Sequence, residues 1–353
     1  MHRNVDENIE IQIIVPVYNV GIYLRDFFQC LKKQSIQNFM LIMIDDASTD
    51  NSLEIIESES RIFGERLIVK KNKHNMGLSK TRNVGLNVAA DRPSKYITFL
   101  DPDDIFDDEY LEDLYTNAEV FNADLTIAGI QRFDDVTNRV ICTEMVKYRE
   151  QPVLNSVECV EMAYINPCVY AKLYRFENIK SIRFRDIKRS EDTCYLFECL
   201  PYLKTVKFTN HPYYHYRVRH SALSGAVDEI RVRSMHEHFA EMMRLFEKEA
   251  YRAYKELFET QVFIRSSVGG VCRLSFRNMK HMRRLCSDEI NFLDDKVPDW
   301  RKNQFLSFLH SRNRGIKPDA IRLCALMYKT HVFPVFIRVY YFMSQVLKVD
   351  VRA

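Results

Sequence analysis

The chain has 353 residues, 46% hydrophobic and 28% charged, which suits a globular catalytic domain of about 200 to 250 residues with an appendage. No run of roughly 18 apolar residues is present, which excludes a membrane-spanning helix. The N-terminus lacks the apolar core of a signal peptide. The nine cysteines follow no zinc-ligand spacing. We therefore expect a cytoplasmic protein with reduced thiols.

Charge divides the chain into two regions. Residues 228–353 contain 23 Lys and Arg against 15 Asp and Glu, a net charge of +8, whereas the first 227 residues carry −5. This split predicts two domains, residues 1–227 and residues 228–353, and an anionic binding partner for the basic second domain. No motif that reads nucleic acid accompanies the basic region, so we do not expect a nucleic-acid partner.

Strands and helices alternate from the start of the chain. "IQIIVPVYN" predicts a strand, and the helix predicted in "GIYLRDFFQCLKKQS" places four apolar residues on one face: Leu24, Phe27, Phe28 and Leu31. "FMLIMIDDASTDNSLEIIESES" predicts a second pair, with Ser48 or Asp50 as the helix N-cap. Two more pairs follow, and "ADLTIAGI" predicts a fifth strand. Residues 1–130 are therefore predicted to form an α/β unit, a doubly wound and mostly parallel sheet with helices on both faces.

The fourth predicted strand ends in carboxylates, in "YITFLDPDDIFDDEYLEDL". Asp101, Asp103 and Asp104 follow this strand and Asp46 ends the second, at the edge where doubly wound sheets bind ligands. GxGxxG and Walker A loops are both missing, so a nucleotide diphosphate here would need a divalent cation between it and the carboxylates. The alternative is that the acids stabilise a helix N-terminus, which is our interpretation for residues 107–109.

Four stretches in order, "IIVPVYNVGIYLRDFFQCLKKQS", "LIMIDDASTDNS", "NMGLSKTRNVGL" and "YITFLDPDD", resemble the motifs of family-2 glycosyltransferases, enzymes of the GT-A fold. "CVYAKLYRFENI", "RSEDTCYLFECL" and "YYHYRVRHSALSG" resemble acceptor-side motifs of members in capsule, exopolysaccharide and lipopolysaccharide synthesis. The resemblance implies a nucleotide half at 1–130, an acceptor half at 131–227 and a mainly helical region after it. It also implies inverting transfer of one sugar per encounter from a UDP-sugar to a hydroxyl of a saccharide or lipid-linked acceptor.

The resemblance assigns donor-side roles to residues of the first half. Pro16, Val17 and Tyr18 match the loop that wraps the base, and Asp46 matches the carboxylate that binds uracil. Arg82 matches a basic residue that lies against the nucleotide, the alternative being an exposed helix arginine.

The resemblance also assigns the carboxylates after the fourth strand. Asp101 matches the carboxylate near the ribose, and Asp103 matches the ligand of Mn²⁺ or Mg²⁺. Asp104 is the adjacent carboxylate.

The acceptor side rests on fewer residues. Asp192 matches the general base, with Glu191 beside it, the alternative being a helix N-cap. The resemblance and the basic cluster assign further residues to the acceptor or phosphate side: Lys172, Arg217, Arg219 and His220. The alternative for Lys172 is an exposed lysine. The alternative for the basic cluster is a solvated strand end backed by core tyrosines.

The helices predicted after residue 228 mix aromatic and basic residues. They could lie on the anionic inner face of the cell membrane, and a lid on the catalytic domain or a homodimer interface remain alternatives. The alternative to an enzyme is a GT-A-like scaffold that binds nucleotide without turnover. The sequence does not identify the sugar, the acceptor or the linkage.

Overall fold

The computed structural model describes residues 9–92, 94–148, 152–154, 156–187, 189–219, 228–309 and 315–347. These residues form two compact units. The first contains the described residues up to 156 together with 166–186 and 198–219, and the second contains 157–165, 187–197 and the described residues from 228 onward. The two units interleave along the chain, whereas the predicted domains are consecutive stretches of it.

The first unit contains two sheets. Its strands, numbered in chain order, are β1 Ile11–Val17, β2 Phe39–Asp45, β3 Leu67–Lys71, β4 Tyr96–Phe99, β5 Ile105–Phe106, β6 Leu125–Ile127, β7 Ile130–Asp134, β8 Val140–Glu144, β9 Val153–Leu154, β10 Lys172–Arg175, β11 Thr205–Phe208 and β12 Tyr214–Val218. The larger sheet has the order β3-β2-β1-β4-β10-β6-β11-β9, and the smaller has the order β5-β12-β7-β8.

Helices alternate with the strands of the first unit and make up most of the second. The helices of the first unit are α1 Gly21–Lys33, α2 Ser52–Phe63, α3 Leu78–Ala90, α4 Tyr110–Val120 and α5 Phe176–Ile179. They are followed by α6 Glu191–Cys199, α7 Glu229–Leu245, α8 Glu249–Arg252, α9 Lys255–Val262, α10 Val271–Arg277, α11 Met282–Lys296, α12 Ile316–Lys329 and α13 Phe333–Leu347. A π-helical segment, Phe263–Gly270, joins α9 to α10. Short 3₁₀ turns are Gly64–Arg66, Ser156–Glu158, Val160–Ala163, Leu200–Tyr202 and Gln304–Leu306.

The predicted parallel core is confirmed. β1 pairs in parallel with β2 and with β4, and β2 pairs in parallel with β3. Every residue of β1, β2 and β4 is buried, as expected for strands covered on both faces. The predicted apolar face of α1 is buried as well. The predicted N-cap of α2, Ser48 or Asp50, is wrong, because Asn51 holds that position. Asp50 nevertheless accepts a hydrogen bond from the first amide of the helix, at 3.0 Å from Ser52 N.

The predicted fifth strand is divided between the two sheets, which corrects the prediction. β6 belongs to the larger sheet and β7 to the smaller, with Ala128 and Gly129 between them. A Cβ atom on Gly129 would lie 2.6 Å from Val146 Cγ1 and 3.0 Å from the carbonyl oxygen of His211. Only glycine therefore fits where the chain steps from one sheet to the other. Beyond β4 the larger sheet is mixed, because β10 lies antiparallel between β4 and β6.

The smaller sheet places two strands beside the aspartate segment. β5 begins directly after Asp104 and pairs antiparallel with β12, which carries Arg217. The carboxylates after β4 and the basic residues of β12 therefore come from hydrogen-bonded neighbours of one sheet.

The second unit has an aromatic core. Phe263 of the π-helical segment stacks on Trp300 with ring centroids 5.9 Å apart, and Tyr328 of α12 meets Phe263 edge-on. Trp300 and Tyr328 are fully buried. Among the helices of the described residues, none combines the length and the apolarity needed to span a membrane.

Candidate active site

The carboxylates lie on a tight turn after the buried strand β4. The amide of Asp104 donates to the carbonyl of Asp101 at 3.1 Å, so residues 101–104 close a turn around Pro102. The turn reverses the chain between the larger sheet and β5. Its three carboxylates are thereby held close together at the carboxyl end of β4, where the sequence predicted a ligand site.

Asp101 is fixed by a buried arginine. Arg82 Nη2 lies 3.0 Å from Asp101 Oδ1, and the arginine side chain is 1% exposed. Its guanidinium also lies 5.3 Å from the ring centroid of Phe184. The alternative of an exposed helix arginine is wrong, because Arg82 points from α3 into the first unit and neutralises the first carboxylate of the turn.

Asp103 is held by two arginines from β12 and the residues after it. Arg219 Nη2 lies 2.7 Å from Asp103 Oδ2, and Arg217 Nε donates to the backbone carbonyl of Asp103 at 2.7 Å. Burial lowers the pKa of Arg219, but the Asp103 carboxylate and Tyr23 raise it, and the net direction is upward. Arg217 also pairs with Asp135 at 3.0 Å. Neither arginine is the solvated strand end of the alternative interpretation.

Asp104 differs from its two neighbours because it is buried. Its Oδ2 accepts a hydrogen bond from the hydroxyl of Tyr214 at 2.7 Å, and its Oδ1 accepts one from the amide of Arg217 at 2.8 Å. Burial, and then the charges of Asp103 and Asp101, raise the pKa of Asp104 well above its usual value. Asp104 therefore fixes the turn to β12, while Asp101 and Asp103 keep part of their carboxylate surface in solvent.

Stacked tyrosines support this connection. The rings of Tyr170 and Tyr214 stack with centroids 4.7 Å apart and an interplanar angle of 12°, and Tyr170 also stacks on Tyr216 at 5.7 Å. The guanidinium of Arg132 lies 4.9 Å from the ring centroid of Tyr216. The stack sets the position of the Tyr214 hydroxyl that binds Asp104.

The ends of β1 and β2 lie at the edge that the sequence predicts to bind the base. Pro16 and Val17 end β1, and the next residue, Tyr18, is 44% exposed. Asn19 Oδ1 then accepts the amide of Thr49 at 2.8 Å, which ties this loop to the turn after β2. The exposed aromatic ring is available for contact with a flat ligand.

Asp46 is buried and organises a loop. Its Oδ1 accepts from Asn72 Nδ2 at 2.7 Å and from the amide of Met76 at 2.9 Å, and its Oδ2 accepts from the amide of Gly77 at 2.9 Å. No sequence motif marks Asn72. Its place directly after β3 is the signal that would have found it, since this edge is where ligands bind.

Lys172 is buried in β10, so the alternative of an exposed lysine is wrong. Its Nζ donates to the carbonyls of Asn166 and Cys168 at 3.0 Å and 2.6 Å. The ammonium thereby holds residues 166–168 against the larger sheet. His220, the remaining basic residue predicted for the acceptor side, lies outside the described residues.

The predicted base belongs to the second unit. α6 begins at Glu191, so Glu191 and Asp192 are the first two helical residues and neither is the N-cap. The preceding Ser190 has a φ of 64°, and its Oγ lies 3.2 Å from the sulfur of Met235. Both carboxylates are partly exposed.

Arg189, just before this acidic pair, lies within the electrostatic influence of arginines from separate elements, which no sequence motif marks. The pKa of Arg189 is lowered to about 10, first by burial and then by the charges of Arg273 and Arg265, whereas Glu191 raises it. Arg231 adds to the same positive field. Because these residues are up to 84 positions apart in the sequence, from Arg189 to Arg273, no local motif reveals them.

The carboxylate turn has the donor chemistry of a hard-cation site. Mg²⁺ and Mn²⁺ prefer oxygen ligands, and Mg²⁺ often takes only one or two protein carboxylates together with substrate phosphates. Among the described residues, no group of three or more His, Cys, Asp and Glu side chains is arranged to hold a metal. The partly exposed Asp103 carboxylate fits the role of a single protein ligand, with Arg219 sharing one of its oxygens.

Comparison with known proteins identifies the family. The sequence model described as glycosyl transferase family 2 matches residues 12–177. An uncharacterised glycosyltransferase of Haemophilus influenzae is 33% identical over 204 residues, which are 55% of this chain and 73% of that protein. The chain belongs to glycosyl transferase family 2. The predicted family is thereby confirmed.

Other relatives of this family-2 chain extend the comparison. Glycosyltransferase GlyA of Streptococcus pneumoniae is 28% identical over 257 residues, which are 70% of this chain but only 36% of GlyA. The crystal structure of S. aureus TarS 1-349 in complex with UDP-GlcNAc superposes with a TM-score of 0.67 at 20% identity, covering 91% of this chain and 92% of that one. The predicted GT-A fold is confirmed.

Proposed function

We propose that this family-2 chain is a metal-dependent inverting glycosyltransferase that moves one sugar from a UDP-sugar to a hydroxyl of a saccharide or lipid-linked acceptor. The observation that carries the proposal is the carboxylate turn 101–104, held by Arg82, Arg217 and Arg219 at the carboxyl end of β4. The alternative is a nucleotide-binding scaffold without turnover, which the same site would also permit.

The donor would lie along the edge formed by β1, β2 and β4. We assign the base to Pro16, Val17 and Tyr18, because Tyr18 offers an exposed ring beside the end of β1. Asp46 would accept a hydrogen bond from uracil in addition to those it accepts from Asn72 and the loop. UDP as the nucleotide is supported by the family motif and by a structural neighbour whose complex contains UDP-GlcNAc.

Arg82 and the carboxylate turn would hold the ribose and the diphosphate. Asp101 would face the ribose, and Arg82 would set its position. Asp103 would bind Mn²⁺ or Mg²⁺, with Asp104 fixing the turn behind it. The cation, when bound, stabilises the charge that grows on the departing diphosphate.

The acceptor must lose a proton as its hydroxyl attacks the anomeric carbon. We assign that general base to Asp192, on the family's motif order, with Glu191 beside it. Lys172, Arg217, Arg219 and His220 would serve the acceptor or phosphate side, Lys172 by positioning residues 166–168. The cluster of Arg189, Arg231, Arg265 and Arg273 near Glu191 favours an acceptor that carries phosphate.

The proposed setting is cell-surface polysaccharide synthesis, of the capsule, exopolysaccharide or lipopolysaccharide kind. We propose that residues 1–227 form the catalytic domain, with its nucleotide half at 1–130 and its acceptor half at 131–227, and that residues 228–353 form a helical accessory region. The enzyme would work in the cytoplasm at the inner face of the cell membrane, where a lipid-linked acceptor is found, and no nucleic acid would take part.

Titration calorimetry tests the donor side. UDP should bind in Mn²⁺, binding should be lost in EDTA, and GDP and CMP should bind at least about tenfold more weakly, since base recognition depends on the uracil contacts. Binding followed by release of UDP from a UDP-sugar establishes an enzyme. Binding without release in the presence of candidate acceptors supports the scaffold, and no binding of any of the three nucleotides contradicts both.

A further inference from the structure

The last two helices of the second unit expose an unusual amount of apolar surface. On α13, Val335, Val339, Phe342 and Met343 are 59%, 52%, 68% and 49% exposed. Leu323 and Leu326 of α12 and Val332 between the helices are each 47% exposed. We call these seven residues the α12–α13 face. Scattered exposed apolar residues are normal, but a contiguous set on adjacent helices is a mark of an interaction site.

α13 presents this face because its opposite side is anchored in the unit. Phe333 and Ile337 are 1% and 0% exposed, and the ring of Phe333 stacks on the buried Tyr328 with centroids 4.1 Å apart. Tyr341, one turn after Ile337, is half-buried, with its ring centroid 5.7 Å from that of Phe276 of α10. The outward positions 335, 339, 342 and 343 follow helical spacing. The helix is therefore apolar on both its packed and its outward sides.

The charges along the α12–α13 face are mainly basic. From residue 320 to residue 349 the sequence contains no Asp or Glu, and Asp319 of α12 is paired with Arg322 at 2.9 Å. Arg338 is exposed and lies at helical spacing between Val335 and Phe342, so it belongs to the same side of α13. Lys329 at the end of α12 is half-buried, with its Nζ 3.5 Å from the carbonyl of Leu306. On α13 the exposed apolar surface is accompanied by basic charge alone, which complements an anionic lipid surface better than a protein of average composition.

We propose that the α12–α13 face docks the protein on an anionic membrane, with α13 lying in the plane of the headgroups. The described part of α13 has 15 residues and so is about 22 Å long, whereas spanning the hydrocarbon core takes about 20 residues. A helix of this kind buries its apolar side chains at the boundary of headgroups and acyl chains, and each exposed basic residue adds attraction to anionic lipid. The inference extends the proposed location at the inner face of the membrane, but its test involves no sugar transfer.

Vesicle sedimentation with the full chain tests the proposal. The probes are phosphatidylcholine vesicles with and without about one third phosphatidylglycerol. The wild-type protein should sediment with the anionic vesicles. The double variant Val339→Glu/Phe342→Glu should lower the partition coefficient about tenfold or more, because two exposed side chains that would insert among the lipids become charged. Arg338→Glu should weaken binding to the anionic vesicles by several-fold and leave binding to neutral vesicles nearly unchanged.

A matched control separates this face from apolar surface in general. Val120 and Val136 of the first unit are 69% and 75% exposed, and Val120→Glu/Val136→Glu should bind vesicles within about twofold of wild type. All variants should keep wild-type circular dichroism. UDP binding is measured separately. Loss of nucleotide binding and loss of vesicle binding can therefore be distinguished.

Two outcomes would overturn the proposal. One is wild-type protein that does not sediment with anionic vesicles, or a Val339→Glu/Phe342→Glu variant that sediments as wild type does. The other is a dimer in light scattering that the same double variant dissociates while no form binds vesicles, which would assign the face to a second copy of the chain.

Discussion

Replacing Arg82 by Ala should destabilise the protein and loosen the carboxylate turn. Removing one partner of a buried ion pair costs about 3 to 5 kcal/mol because the other charge stays behind. Asp101 retains 23% exposure, so water can partly hydrate the carboxylate that remains. The lost contact between the guanidinium and Phe184 adds about 0.5 to 1 kcal/mol. We therefore expect a loss of about 3 kcal/mol in the free energy of unfolding.

The same helix offers a matched control. Lys80 pairs with Asp186 at 2.7 Å, but their side chains are 51% and 67% exposed. Lys80→Ala should therefore cost no more than about 1 kcal/mol. Urea titrations followed by far-ultraviolet circular dichroism measure both variants against wild type. Equal losses for Arg82→Ala and Lys80→Ala would refute the argument, and full recovery in Arg82→Lys would show that charge alone, without the planar guanidinium, is enough.

Four further results are expected. Asp103→Ala should abolish the metal dependence of UDP binding in calorimetry, and unchanged affinities with and without Mn²⁺ would put the metal elsewhere. Asp192→Asn should keep UDP binding but lower turnover about 100-fold or more, since a general base contributes about 10² to 10⁴ in rate; normal turnover would remove Asp192 from the mechanism. The raised pKa of Asp104 means that wild-type protein loses stability as pH rises from 3.8 through that pKa. The stability of Asp104→Asn relative to wild type should therefore increase with pH in urea titrations, and a difference independent of pH would contradict the assignment. Gly129→Ala should cost about 2 kcal/mol or more in the same titrations, because its Cβ would meet Val146 and backbone atoms; a loss below about 0.5 kcal/mol would mean that the backbone there yields.

The parallel core and the rim of carboxylates were predictable because local patterns encode them. Leu24, Phe27, Phe28 and Leu31 repeat at helical spacing, and all four are buried in α1. Asp101 and Asp103 directly follow an apolar strand, so their place at the sheet edge follows from the direction of the chain.

The remaining features depend on contacts between distant residues, which no local pattern records. The stretch "ADLTIAGI" is typical of a single strand. Its division between two sheets goes with the close approach of Val146 and His211 to Gly129, which the local sequence does not record. A lysine in the sequence suggests an exposed position. In the structure, however, the carbonyls of residues 166 and 168 accept hydrogen bonds from the Lys172 ammonium in the interior. Arg82 is likewise buried because a carboxylate 19 residues away meets it.

The tyrosine stack gives this protein an intrinsic optical reporter. Tyr214 touches both the Asp104 carboxylate and the ring of Tyr170, so a ligand that shifts the turn must alter the surroundings of these chromophores. The single tryptophan, Trp300, belongs to the second unit. The first unit therefore contributes tyrosine absorbance and no tryptophan absorbance. Ultraviolet difference absorbance upon adding nucleotide and Mn²⁺ could therefore follow occupancy of the carboxylate turn in unlabelled protein and in real time.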